Sequence, residues 1–452
     1  MGKSAENFLC TECGDTFSKW VGKCPSCNEW NTLKEFRESK AVGGKSKTKG
    51  KNLTQVEALK PPKQTELVER FSSGIEEFDR VTGKIFPGSF ILFGGSPGVG
   101  KSTLALQIFL NIKGAMYFSG EESAEQVFHR ASRLETRLIA SLQNNIFSTN
   151  SLEDIVETIE RNSPPFAIVD SIQMVGLENS SLGQISQIKE NAEILLRLAK
   201  STGTTILIIG HVTKNEEIAG PKILEHIVDT VLQLEGEENS GIRILRSPKN
   251  RFGSTLEVGV FEMTSTGLRE LANPSEFFLA ERAENSFGSA ITVVREGSRN
   301  FLMEIQVLTV QTNFGLPRRT SHGMDLSKFH LMLAVISKFT PFKCETFDAY
   351  LNIIGGLRIK EPSADLAVVA AILSSRAEKE IPAHTIILGE VGLSGEIRSV
   401  AYLESRLLEA EKLGFKRAIV PRIREKFEKP KRMQVVEVKS VLELMKEILR
   451  EN

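Results

Sequence analysis

Cysteine is scarce: there are five in 452 residues, four of them before residue 28 and the fifth, Cys344, alone. A chain-wide disulfide framework is excluded, and the four clustered thiols need a common explanation. Long apolar runs are also missing. The longest, Leu366 to Leu373, is far short of the roughly 20 residues of a membrane helix, and the opening MGKSAENFLCTECG has no signal-peptide apolar core. These absences predict a cytoplasmic protein with no membrane partner. Nor is there an excess of one charge: 57 Lys+Arg meet 57 Asp+Glu, which excludes a histone-like polycation and leaves local basic patches open. With 40% hydrophobic and 25% charged residues, the length suits roughly two to four core-forming domains.

Residues 1–36 hold the cysteine cluster, and 37–70 read as a basic linker. The stretch RESKAVGGKSKTKGKNLTQVEALKPPK is rich in Lys, Gly, Ser and Pro, with almost no apolar periodicity. Across residues 71–272, short apolar runs (Phe90–Phe93, Met116–Phe118, Ala167–Val169, Thr205–Ile209, Val228–Leu234) alternate with helix-length amphipathic stretches. That alternation predicts a mostly parallel sheet covered by helices, an α/β core. Asn273 to Phe287 reads as a connector into a second α/β segment, 273–452. Strands are expected there at Ala290–Val294, Glu304–Thr309 and Arg417–Val420, and helices at Asp365–Ser374 and Leu403–Leu413.

Cys10-x-x-Cys13 and Cys24-x-x-Cys27, ten residues apart, place two thiolate pairs on two tight turns, from which four sulfurs close tetrahedrally on one Zn²⁺. So small a module has too little core to fold alone, so metal binding supplies its folding free energy. Lys19, Trp20, Lys23 and Trp30 lie around these turns and either pack the module or touch DNA.

The nucleotide signature is equally local. Gly95-Ser96-Pro97-Gly98-Val99-Gly100-Lys101-Ser102 follows an apolar strand and, with Thr103, opens a helix-like stretch, the context of a phosphate loop that binds ATP. Backbone N–H groups turn inward on phosphate oxygens, Lys101 reaches the β- and γ-phosphates, and the Ser102 hydroxyl ligates Mg²⁺. Phe166-Ala-Ile-Val-Asp170 ends in the second Mg²⁺-shell group, Asp170. Tyr117-Phe-Ser-Gly-Glu121-Glu122 ends another strand in paired carboxylates, one of which orients or deprotonates the attacking water. His211 follows the Thr205–Ile209 strand, where it either senses the γ-phosphate or serves a structural role.

Past these motifs comes Lys249-Asn250-Arg251-Phe252-Gly253. In this order the zinc module, the phosphate loop and KNRFG resemble the bacterial RadA (Sms) family of RecA-type ATPases, over nearly the whole length. The resemblance implies a RecA-like P-loop core and a C-terminal Lon-protease-like α/β domain. It also implies a DNA-dependent ATPase of homologous recombination and repair, a hexameric ring driving branch migration on single-stranded and branched DNA, with the RecA recombinase as functional partner. It assigns catalysis to Lys101, Glu121 and Asp170, and gives Lys249 and Arg251 to the neighbouring subunit's nucleotide. DNA-facing loops fall on Gly176–Gln184 and Lys214–Lys222, with Lys214 and Lys222 as contacts. KNRFG lies about 80 residues past Asp170, beyond the Val228–Leu234 strand, which predicts a place near a sheet edge open to a neighbour.

Glu361-Pro-Ser363-Ala resembles the Lon segment carrying the nucleophilic serine, and Gly389–Glu396 resembles the strand pair leading to its lysine. Gapless extension from Gly389 puts Glu404 in the lysine's place, and Asp365 replaces the glycine after Ser-Ala. A carboxylate supplies no neutral amine to activate the hydroxyl. The domain is therefore expected to be inactive as a peptidase, a scaffold for assembly and DNA contact, with the basic run Lys412–Arg432 as a candidate phosphate-tracking surface.

Overall fold

A computed structural model describes residues 7–10, 16–17, 19–26, 30, 32–36, 69–134, 145–177, 185–210, 222–236, 241–280, 282–283, 286–312, 315–356, 358–423 and 430–450. At the N-terminus, β1 (Asn7–Cys10) pairs antiparallel with both β2 (Thr16–Phe17) and β3 (Leu33–Phe36). Its core among the described residues is Cys10, Cys24 and Leu33, with Phe8 and Phe17 packed beside them.

The second unit opens with α1 (Glu76–Thr82) and the alternation β4 (Phe90–Gly95), α2 (Lys101–Asn111), β5 (Met116–Ser119), α3 (Ala124–Arg133), β6 (Ile146–Ser148), α4 (Leu152–Asn162), β7 (Phe166–Asp170), α5 (Ile185–Thr202), β8 (Thr205–Ile209), α6 (Lys222–Ile227) and β9 (Thr230–Glu235). Three antiparallel strands follow: β10 (Ile242–Asn250), β11 (Val258–Thr264) and β12 (Gly267–Glu270). The sheet order is β12-β11-β10-β9-β4-β8-β7-β5-β6, parallel from β9 to β6.

Its central strands are buried at every position and apolar except at their ends, because both faces are covered. Phe93, Tyr117, Ile168 and Leu207 pack under α1, α2 and α3; Leu92, Phe118, Val169 and Ile208 pack under α4 and α5. Serines start the surface helices: Ser123 and Gln126 form a reciprocal capping box on α3, and Ser151 caps α4.

The C-terminal unit comprises α7 (Pro274–Leu279), β13 (Ser289–Glu296), β14 (Arg299–Gln311), β15 (Arg319–His322), α8 (Leu326–Phe339), β16 (Phe347–Ile353), α9 (Asp365–Ala377), β17 (Thr385–Ile387), β18 (Glu390–Val391), β19 (Ile397–Arg398), α10 (Leu403–Lys412), β20 (Arg417–Pro421), β21 (Gln434–Val438) and α11 (Val441–Leu449). Its main sheet runs β15-β16-β14-β13-β17-β20-β21. The run Leu366–Leu373 is fully buried in α9, between that sheet and the helices α8 and α11. No described helix is long and apolar enough to cross a membrane.

The stretch read as a connector contains α7, capped by the Asn273 side chain, and the Ser275 hydroxyl accepts a hydrogen bond from the Leu302 N–H. The two large units share a core, in which Ile242, Ile244, Val258 and Val260 join Phe301, Ile305 and α9. The β13–β14 turn docks on the unit that opens with α1. Ser298 N donates to Leu256 O at 2.7 Å, Arg299 meets the buried Glu77 of α1 at 2.6 Å, and Arg246 meets Glu296 at 2.7 Å.

Candidate active site

In a parallel sheet the strands end on one rim, and here that rim carries the chemistry. The phosphate loop leaves the end of β4, Asp170 ends β7, and Glu121 follows β5, with Ser119 in register with Asp170. Gly98 has φ +77°, and no heavy atom lies within 4 Å of where a Cβ would stand, so only backbone conformation demands glycine there.

Lys101 is the first residue of α2 and is buried. Its Nζ donates to the carbonyls of Gly95 at 2.8 Å and Ser96 at 3.0 Å. Burial lowers its pKa, although the Asp170 and Glu121 carboxylates nearby favour the ammonium. A partly desolvated cation held on loop carbonyls is ready to exchange them for phosphate oxygens.

Two hydroxyls set the carboxylates. Tyr117, wholly buried in β5, donates to Asp170 Oδ2 at 2.5 Å, and Ser171 donates to Glu121 Oε1 at 2.6 Å. Burial, with the Asp170 charge beside it, raises the Tyr117 pKa well above the ordinary phenol value, so the tyrosine stays a donor. The neighbouring carboxylate is engaged elsewhere: Glu122 pairs with Arg130 of α3 at 2.8 Å. That separates two acids the sequence left adjacent.

The hard-oxygen pair Ser102 and Asp170 beside a phosphate loop fits Mg²⁺. For zinc, Cys10 and Cys24 are buried together, and their thiols match the soft donors the metal takes. Cys13 and Cys27 lie outside the described residues, as do His211, Lys214 and the stretches 178–184 and 211–221. Lys222 starts α6.

Sequence reasoning missed two supports of this rim. Arg243 of β10 is buried and donates from Nε to the Val99 carbonyl at 3.0 Å, bracing the phosphate loop from 144 residues away. Tyr117 was visible in its strand, but its bond to Asp170 was not. Neither pairing has a local signal, because each depends on which strands become neighbours.

KNRFG sits on the opposite rim. In the register of β9, Lys249 and Asn250 stand beside Val231 and Thr230, while Gly95 pairs with Leu234. Roughly 13 Å of strand therefore separates the motif from the start of the phosphate loop. The motif is not at a lateral edge of the sheet as expected, because β11 and β12 continue the sheet beyond β10.

Asn250 ties the motif to α1, donating to the carbonyls of Val81 and Thr82. Phe252 stacks on Phe86 at 4.4 Å, and a Cβ on Gly253 would stand 3.2 Å from Thr82 O. Arg251, more than half exposed, meets Asp229 at 3.4 Å, and Lys249 donates to carbonyls at the end of α6. Burial, together with Arg251, lowers the Lys249 pKa.

In the C-terminal unit, Ser363 is buried on the 3₁₀ turn before α9. The residue facing it is Arg406, not Glu404, which is exposed on α10. Gapless extension was two residues out, and on a helix that is a turn of about 200°, from core to solvent. The buried Arg406 guanidinium donates to Glu361 at 2.8 and 2.6 Å, to the carbonyls of Val293 and Ala401, and to Ser363 Oγ at 3.1 Å. Burial pushes the Glu361 pKa up, but the hydrogen bonds and charge of Arg406 outweigh it and leave the pKa low. An arginine never deprotonates in a protein, and the Glu361 carboxylate that also hydrogen-bonds the serine is held low by that arginine, so among the described residues no neutral amine faces this serine.

Comparison with known proteins agrees with the architecture. A family model described as KaiC, in the ATPase class, matches residues 71–269; one described as a rubredoxin metal binding domain matches 8–35; and one described as subunit ChlI of Mg-chelatase matches 334–424. The DNA repair protein RadA of Bacillus subtilis is 42% identical over 456 residues, spanning 99% of each chain. RadA of Listeria monocytogenes is 42% identical over 457 residues with the same coverage, and that of Pseudomonas aeruginosa 41% over 446, spanning 97% of each. With a zinc ribbon, a RecA-like ATPase core and a Lon-like domain in that order, the chain belongs to the RadA family of DNA repair proteins.

Proposed function

We propose that the chain is a DNA-stimulated ATP hydrolase that works as a ring of identical subunits, a hexamer by family resemblance. It would drive branch migration of recombination intermediates on single-stranded and branched DNA, alongside the RecA recombinase. The observation that carries this reading is the separation of the two cationic elements. Lys101 stands on one rim of the sheet, while Lys249 and Arg251 stand on the other, out of reach of their own phosphate loop. A nucleotide served by both elements must lie between two subunits.

In that arrangement Lys101 leaves the Gly95 and Ser96 carbonyls for the β- and γ-phosphates of ATP. Glu121, oriented by Ser171, holds the attacking water. Asp170, fixed by Tyr117, and Ser102 are the residues that would hold Mg²⁺, which supplies charge neutralisation on the phosphates. Arg251 of the adjacent subunit meets the charge that develops in transfer, an effect of about 10³-fold or more for an arginine finger. Lys214, and Lys222 at the start of α6, are the DNA contacts of this reading. The Ser363 site takes no part, because Arg406 occupies the place of a base.

The test mixes two inactive variants, Lys101→Ala and Arg251→Ala, and measures ATP turnover with and without single-stranded DNA. Shared sites predict partial recovery, since some interfaces in mixed rings keep both an intact loop and an intact arginine. No recovery at any ratio, with mixed rings demonstrated, overturns the trans role, and turnover indifferent to DNA overturns the motor.

A further inference from the structure

The whole chain contains two tryptophans, and both lie on the zinc ribbon. Residues this large are ordinarily well covered, yet Trp20 is 55% exposed and Trp30 68%. They share a surface. A Cβ at Gly22 would stand 3.8 Å from both the Trp20 and the Trp30 ring, so the glycine between them keeps the two ring edges uncovered and close. Lys23 pairs with Trp30 across a β-bridge, with its Nζ 5.9 Å from the Trp30 ring centre, and Lys19 is exposed alongside. Residues 37–63, which follow directly, carry eight Lys or Arg against Glu38 and Glu57.

Flat aromatic faces set among cations have a specific complement. Unstacked bases offer π-faces, and the phosphates between them offer negative charge, the combination by which single strands are held without sequence preference. A duplex hides its base faces, and an apolar protein patch gains nothing from the surrounding lysines. Zinc contributes by fixing the two turns, so that the rings are presented without a large core behind them.

We propose that Trp20 and Trp30, flanked by Lys19 and Lys23, form a base-stacking platform for single-stranded DNA on the zinc ribbon, separate from the loops of the ATPase core. The inference rests on the reading that DNA is this protein's ligand, and names where on the ribbon a strand is held.

With no other tryptophan in the chain, intrinsic tryptophan emission reports on this surface alone. The zinc-loaded full-length chain is titrated with an oligo-dT strand while emission and the anisotropy of a labelled copy are followed together. Emission should be quenched with the anisotropy midpoint, and Trp20→Ala and Trp30→Ala should each weaken binding roughly 10-fold. Trp20→Phe should restore most of that loss, because a smaller ring still stacks. The salt dependence separates stacking from charge. The tryptophan variants should keep the wild-type slope of log K against log salt, and Lys19→Ala with Lys23→Ala should reduce it by about 1 to 1.5.

Zinc content, measured on every variant, shows whether the ribbon has stayed folded. Binding at wild-type strength by the zinc-loaded Trp20→Ala, Trp30→Ala double variant overturns the platform. So does rising anisotropy with unchanged emission, which leaves the DNA reading itself standing. Anisotropy that never rises removes the DNA reading, and this inference with it. Emission that responds to an added protein and not to the oligonucleotide assigns the surface to that protein and also overturns the proposal.

Discussion

Two sites in this chain hold a nucleophile-class or phosphate-class motif, and their hydrogen bonding differs in kind. At the phosphate loop, Lys101 rests on two carbonyls of its own loop, and Asp170 and Glu121 each accept a hydrogen bond from a neutral hydroxyl. Those bonds orient the groups without neutralising them. At Ser363, a buried arginine gives its donors to Glu361, two carbonyls and the serine, and the cation and carboxylate cancel. The first site is kept ready to rearrange around a ligand, while in the second each charge already has its partner. The same residue types therefore mean opposite things depending on whether their partners are exchangeable.

The largest effect expected is at Lys101. Lys101→Ala removes the buried cation of the phosphate loop and should lower ATP turnover by about 10³-fold or more, since positioned charge dominates phosphoryl transfer. Thermal stability should hardly move, because water can take the ammonium's place on the Gly95 and Ser96 carbonyls. A variant that unfolded instead would mean this lysine, like Arg406, is a structural clamp.

Arg406→Ala is the mirror experiment. It leaves Glu361 as an uncompensated carboxylate in a mostly buried place, an effect of about 3–5 kcal/mol on stability. Denaturant unfolding should register it as a lower midpoint for the C-terminal unit. A midpoint within error of wild type would show that the clamp is dispensable and that the contrast between the two sites is weaker than drawn.

Between the two acids after β5, Glu121→Gln should slow hydrolysis about 100-fold with nucleotide binding retained, the range of a positioned acid or base. Glu122→Gln should lose only its pair with Arg130. Single-turnover rates and nucleotide affinity measured on both variants decide the assignment, and the reverse outcome would move the catalytic role to Glu122.

What the sequence disclosed was what is local in it. Cysteine pairs and the phosphate loop are read within a few residues because the ligand is gripped by consecutive backbone and neighbouring side chains. The strands and buried helix of the C-terminal unit were legible from apolar runs. Arg243 on Val99, Tyr117 on Asp170 and Arg406 on Ser363 were not, since each joins elements whose adjacency is fixed by sheet order. Glu404 shows the limit most plainly: the right helix was found, but without its rotation two residues exchange core for solvent. KNRFG was found as a string, and its place on the far rim came only with the register of β9 and β10.

A smaller effect contrasts two carboxylates four residues apart. The Glu361 pKa is low, so its contribution to stability is present above the unfolded value and is lost as pH falls through the folded one. Asp365, paired with Lys328 at 2.6 Å, is pushed by burial up to about 6. The fold therefore favours its protonated form. It binds the proton more tightly than the unfolded chain does, and stability should fall as pH rises from about 4 to 6. Asp365→Asn should melt like wild type near pH 4 and hold about 2–3 kcal/mol more stability at pH 7. Melts across that range check the sign, and a variant less stable at pH 7 would give the ion pair a net stabilising role.

The smallest effect is expected at Ser363. In Ser363→Ala the hydroxyl that accepts from Arg406 Nη1 is removed, but that nitrogen keeps the Val293 carbonyl and Glu361. The loss is then that bond and the serine's own hydrogen bond to Glu361, about 1–2 kcal/mol together, or a few degrees in melting temperature for a domain of this size. Because a guanidinium takes no proton from a hydroxyl, wild type and variant should both leave casein intact, and ATP turnover should agree within about twofold. Casein cleavage by the wild type that disappears in the variant would show that Arg406 moves aside to let a base in. The Ser363 site would then be as exchangeable as the phosphate loop.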